Sequence, residues 1–163
     1  MLGLSAYTWW KFLHVAGVIA FVAFHGVSMV AALRVRKERD RIRIATMLQL
    51  SGSSLMGMYV SLAWLIAFGV VAGIQGGYWN DGWFWIAIGL LVLAVGEMSA
   101  VARPYYQRVK EAVEVRPSGV PRRSDEELEE ILGSPVALWN AAFGVAVLLG
   151  ITWLMIFKPF QVF

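Results

Sequence analysis

Four apolar runs, each long enough to cross a bilayer, take up most of this chain and leave it one way to fold. They cover about 7–33, 44–74, 83–109 and 136–157. A helix of about 20 apolar residues spans a hydrocarbon core, where backbone groups must be satisfied within the segment. The runs are too long and too unbroken for barrel strands, which show about ten residues of alternating pattern. The expected fold is therefore an all-α, polytopic four-helix transmembrane bundle. Residues 1–163 read as one integral membrane domain with a polar segment at 110–134. The 59% hydrophobic and 15% charged content excludes an ordinary soluble domain. The first run is too long for a signal-peptide core and no small-residue cleavage site follows it, so it is expected to be retained.

Basic residues set the orientation. Arg34, Arg36, Lys37, Arg39, Arg41 and Arg43 follow the first run, and Arg108, Lys110, Arg116, Arg122 and Arg123 follow the third. Only Lys11 and Lys158 flank the other ends. The positive-inside rule is expected to place both basic loops in the cytoplasm and both termini outside. The net charge of +3 is topology signal and contact with anionic lipid, and calls for no nucleic acid. The absence of cysteine excludes thiolate metal sites, iron–sulfur clusters and covalently attached c-type haem. No nucleophile–base set, phosphate loop or zinc signature is present, so no catalytic residue is assigned.

Local signals punctuate the runs. Residues 1–6 form a short outer lead. Tyr7, Trp9 and Trp10, with Trp79, Trp83 and Trp85, are placed in an outer aromatic belt, and the glycine-rich turn at 75–82 makes the second and third helices antiparallel neighbours. The basic turn at 34–43 has no Pro or Gly, so both flanking helices should run past the membrane. Pro104 should kink or restart the third helix. Ser124-Asp-Glu-Glu127 is a capping box for a short acidic helix, and Pro135 opens the fourth span. Gly69 and Gly73 form a GxxxG pattern, suited to close helix packing, to clearance for a macrocycle, or to approach of a second chain.

The only two histidines, His14 and His25, lie in the first run. Eleven residues apart on a helix, they share a face about 16 Å apart along the axis. Polar, titratable groups at that depth are costly and usually serve a site. Both are candidate haem or metal ligands, each then serving a different site; the alternative is a structural role, with His14 hydrogen-bonded to a neighbouring helix and His25 to a serine or carbonyl. Glu97, deep in the third run, should pair with a basic residue of another helix or act as a proton-carrying or propionate-proximal carboxylate. Arg103 is a candidate anchor for a haem propionate, or it snorkels to phospholipid. Methionines 29, 47, 56, 58, 98 and 155 offer thioethers for haem or Cu(I), without a clustered motif.

The Lys11-Phe-Leu-His14 opening, the four spans, the inner basic turns and the outer turn into Gly82-Trp83 resemble a group of small bacterial membrane proteins. These are the CopD-like copper-resistance domains, the HemJ-type protoporphyrinogen oxidases and their uncharacterised relatives, and Arg103-Pro104-Tyr105 most resembles the uncharacterised branch. The resemblance implies haem b at the first-helix histidine, which is His14 here. The HemJ-type relatives also carry a lysine in a later span. This chain has none in its second to fourth spans before Lys158, so oxidase turnover does not carry over.

The resulting expectation is a membrane protein holding one or two b-type haems for electron transfer or redox sensing. His14 is the first ligand and His25 a second site. One chain supplies two of the four axial ligands that two six-coordinate haems need, so a homodimer or a larger complex is expected alongside lipid. The alternatives are a cofactor-free structural or assembly subunit and a copper-handling protein using His and Met.

Overall fold

The computed structural model describes residues 5–161, which leaves most of the expected outer lead outside the described residues. Helix α1 (Ala6–Val35) and helix α2 (Arg41–Gln75) form the first hairpin. A single 3-10 turn (Tyr78–Asn80) leads into α3 (Gly82–Glu97). A π-helical turn (Met98–Ala102) joins α3 to α4 (Arg103–Val113), and α5 (Asp125–Gly133) precedes α6 (Val136–Phe157). Among the described residues four stretches are long and apolar enough to cross a membrane: α1, α2, Gly82–Val113 and Asp125–Phe157. The protein is an all-α, four-helix membrane bundle.

The boundaries have local causes. Ser5 caps α1 through its hydroxyl, and the Asp40 carboxylate caps α2 by accepting from the N–H groups of Ile42 and Arg43 at 2.8 and 3.3 Å. Both helices run past their apolar cores into the basic turn, as a turn without Pro or Gly predicts. Pro104 lacks an N–H and would crowd the preceding turn of a regular helix. The wider π-helical turn comes directly before it, so the third span continues instead of breaking. The capping box forms as expected: Ser124 accepts from the Glu127 N–H, and Glu127 accepts from the Ser124 N–H.

The bundle is two antiparallel hairpins set side by side. Helix α1 packs along its length on α2. The ring of Phe24 fills the space a side chain would need at Gly57, and the Ser28 and Ser54 hydroxyls share a hydrogen bond of 2.9 Å. Helix α3 packs on α6, with Leu90 against Gly150 and Phe84 clustered with Leu154. Apolar side chains also run around the outside. Ile19, Val92, Leu149 and Ile156 are each more than 60% exposed, a surface that lipid tolerates and water does not.

The end at the basic turn, the inner end by the sequence expectation, carries the larger buried cluster. Val35, Ile44, Tyr105, Val109, Leu128, Leu132 and Ala137 bury one another where α1, α2, α4, α5 and α6 meet. Arg41 fastens this cap. Its guanidinium donates to the Ala112 carbonyl at the end of α4, to the Arg123 carbonyl at 2.9 Å, and to the Asp125 carboxylate at 2.6 Å. The basic turn is thus tied to the acidic helix. At the opposite end Tyr7, Tyr78 and Lys158 are hydrogen-bonded in series, which brings the two ends of the bundle's chain and the 75–82 turn together. One belt assignment changes here. Trp83 is only 4% exposed, packed with Phe84, Ala87 and Leu154, and its indole N–H donates to Asp81 at 3.1 Å. Trp79 and Trp85 stay exposed, as a belt requires.

Candidate functional site

His14 faces α2. Its Nδ1 lies 2.8 Å from the Leu65 carbonyl oxygen. A carbonyl only accepts, so the ring donates from Nδ1, and in the neutral imidazole the lone pair is on Nε2. A histidine anchored in this way, with a backbone carbonyl fixing its tautomer and plane, is the usual arrangement of a metal-ligating imidazole. One residue away, Trp64 Nε1 donates to the Leu13 carbonyl at 3.0 Å. The two bonds are reciprocal: each helix sends a ring N–H to a carbonyl of the other. They clamp the outer half of the α1–α2 hairpin.

Glycines make the clamp possible. A Cβ at Gly69 would lie 2.8 Å from His14 Nδ1 and 3.0 Å from Cε1, and one at Gly17 would lie 2.6 Å from the Trp64 ring. Gly73 likewise makes room for the ring of Phe84. Both glycines of the GxxxG pattern are therefore filled from within the chain, and the clearance they offered a macrocycle or a second chain is taken. An open apolar groove of about 340 Å³ lies between α1 and α2, lined by residues that include Ala20, Met56, Val60 and Trp64.

His25 occupies a different setting. It stacks on Phe21 with ring centroids 5.4 Å apart, and its Nε2 is 3.6 Å from the Cβ position of Gly144 on α6. Its buried Nδ1 has no hydrogen-bond partner among the described residues. The shared stripe is thus divided: His14 meets α2 and His25 meets α6, so the chain does not bring the two rings to one place. Glu97 ends α3 with its Oε1 buried and, among the described residues, neither a hydrogen bond nor the ion pair expected from another helix. Arg103 opens α4 on the exposed surface, with no bonded partner among the described residues.

The methionines do not converge. Met58 is buried in the core, Met47 packs against the inner cap, and Met56 and Met155 point outward. No group of three or more His, Cys, Asp or Glu side chains gathers among the described residues. At the outer end, burial opposes ionisation of Tyr78. The Lys158 and Tyr7 hydrogen bonds, with the Lys158 and Lys11 charges, outweigh it and hold the hydroxyl below its ordinary range.

Three features escape sequence reasoning: the Trp64 half of the clamp, the Arg41 latch and Asn140. Asn140 had a signal, a lone amide inside an apolar span. Its Nδ2 and Oδ1 are both buried without partners among the described residues. No family model, curated protein or solved structure matches this chain.

Proposed function

We propose that the protein is a bacterial inner-membrane haem protein that binds b-type haem through His14 and serves electron transfer or redox sensing. The observation that carries this is the 2.8 Å bond from His14 Nδ1 to the Leu65 carbonyl. It fixes the tautomer and leaves Nε2 with the lone pair a haem iron takes. The likeness of the Lys11–His14 opening to the CopD-like and HemJ-like group supports the same residue. Bound haem would supply one-electron chemistry. The chain's own part is to hold the imidazole plane through Leu65 and Gly69 and to exclude water with apolar surroundings. His25 is given no ligand role, because its Nε2 lies against α6. Any further ligand to the iron would come from another group or a second copy of the chain.

The positive-inside rule supports placing the Arg41 end in the cytoplasm and both termini outside. A second reading rests on the same clamp. The His14 and Trp64 bonds hold α1 to α2 without any cofactor, as a structural or assembly subunit requires. A reduced-minus-oxidised optical spectrum of the purified protein separates the two. A b-type α-band supports haem binding, and a flat difference spectrum from protein expressed with ample haem refutes it.

A further inference from the structure

Three polar side chains on three different helices have buried atoms that find no partner among the described residues: His25 Nδ1, Glu97 Oε1 and both amide atoms of Asn140. Helix register brings them to one seam. Leu90 of α3 packs on Gly150 of α6. Glu97 is seven residues further along α3, two turns inward on the same stripe, which sets it level with Phe143 of the antiparallel α6. His25 meets α6 at the neighbouring residue, Gly144. The three helices therefore bring His25, Glu97 and the 143–144 step of α6 to the same depth. Asn140 lies one turn below. At about 100° per residue its direction falls between that of Gly150, which faces α3, and that of Gly144, which faces α1. Asn140 thus points into the seam between the other two.

The depth makes the coincidence meaningful. His25 is ten residues, about 15 Å, from the inner end of α1 at Val35, well inside the apolar span. An unmet hydrogen-bonding atom in such a place is costly, and side chains with such atoms on three separate helices at one level call for a shared partner. The Ser54 and Ser61 hydroxyls of α2 donate to the Ser51 and Gly57 carbonyls and bond to none of the three. Another titratable group near Glu97 is Tyr106 on α4. A third metal-type ligand is lacking among the described residues. Water fits the need, because one molecule can satisfy two to four polar atoms.

We infer that His25, Glu97 and Asn140 form one hydrated site in the inner half of the bundle, which binds an exchangeable proton. Water bridges the three side chains, and the proton is carried by the Glu97 carboxyl or the His25 imidazole. The site stands apart from His14 and does not depend on haem.

The test is infrared spectroscopy of the full chain in lipid nanodiscs. The wild type should show a protonated-carboxyl C=O stretch that Glu97→Gln removes and that shifts on transfer to D2O. Asn140→Leu and His25→Gln should each move that band to higher frequency, as the carboxyl loses hydrogen bonding. Val92→Ala, on the lipid-facing side of α3, should leave it in place. Should His25→Gln fail to fold, Asn140→Leu decides alone. The inference is overturned by absence of the band from the wild type, by a band unmoved in Asn140→Leu, or by an equal shift in Val92→Ala.

Discussion

Gly69→Ala is a one-carbon change with a large expected effect. The new Cβ would sit 2.8 Å from His14 Nδ1, closer than side chains tolerate, so the ring must leave its place against α2. The bond to Leu65 goes with it. An interhelical hydrogen bond in a membrane contributes about 0.6 kcal/mol on average and about 1.7 at most. Overpacking a fitted contact adds about 1–3 kcal/mol. Alanine returns up to about 1 kcal/mol through helix propensity. The net loss should be about 1–3 kcal/mol, read from reversible unfolding in mixed micelles with rising SDS and followed by circular dichroism. The decisive comparison is the double-mutant cycle with His14→Ala. Without the ring the Cβ meets open space, so Gly69→Ala should become neutral or mildly stabilising. Costs that add to within about 0.5 kcal/mol would refute the claim that Gly69 is there for His14.

Three further outcomes follow from the two ends of the bundle. Arg41→Gln should loosen the inner cap by about 1–3 kcal/mol, chiefly because the Ala112 carbonyl loses its donor, since Asp125 is too exposed for its charge to add much. Hydrogen exchange should rise in α5 and at the end of α4, and unchanged exchange there would count against the latch. Leu132→Ala, at a fully buried site, should cost about 2–5 kcal/mol in the same micelle assay, and a loss below about 1 would show the cap core to be slack. Tyr78 should ionise at lower pH than the other tyrosines in an ultraviolet alkaline titration, and Lys158→Met should abolish that lead. The sign follows from linkage: folding favours the phenolate, so this contribution grows as pH rises through the Tyr78 transition and is lost as pH falls back through it.

Hydrophobic length made the spans legible, because the bilayer fixes how many apolar residues a helix needs. The helix start at Ser124 was legible for a similar reason, since capping is local chemistry. Facing was not. Apolar residues surround each membrane helix, so no periodicity separates the stripe that meets protein from the one that meets lipid. The spacing of His14 and His25 puts them on one stripe of α1, yet the stripe passes from α2 to α6 along its length. The GxxxG pattern announced close approach without saying by what, and the answers are His14 and Phe84. Trp64 carried no reading and Arg41 read only as a topology residue, because the backbone carbonyls that accept from them have no sequence signature. The inner cap depends on long-range packing between α1 and α5, which no local motif encodes.

The central claim is that His14 binds haem through Nε2 and is more than half of a helix clamp. Haem content per chain, with reduced-minus-oxidised spectra, should be measured for wild type, His14→Ala and Trp64→Phe purified side by side. Trp64→Phe removes the reciprocal bond to Leu13 and leaves the imidazole in place. The account predicts a b-type band in the wild type, its near-complete loss in His14→Ala, and its retention in Trp64→Phe. Haem content unchanged in His14→Ala, or lost equally in both variants, would contradict it.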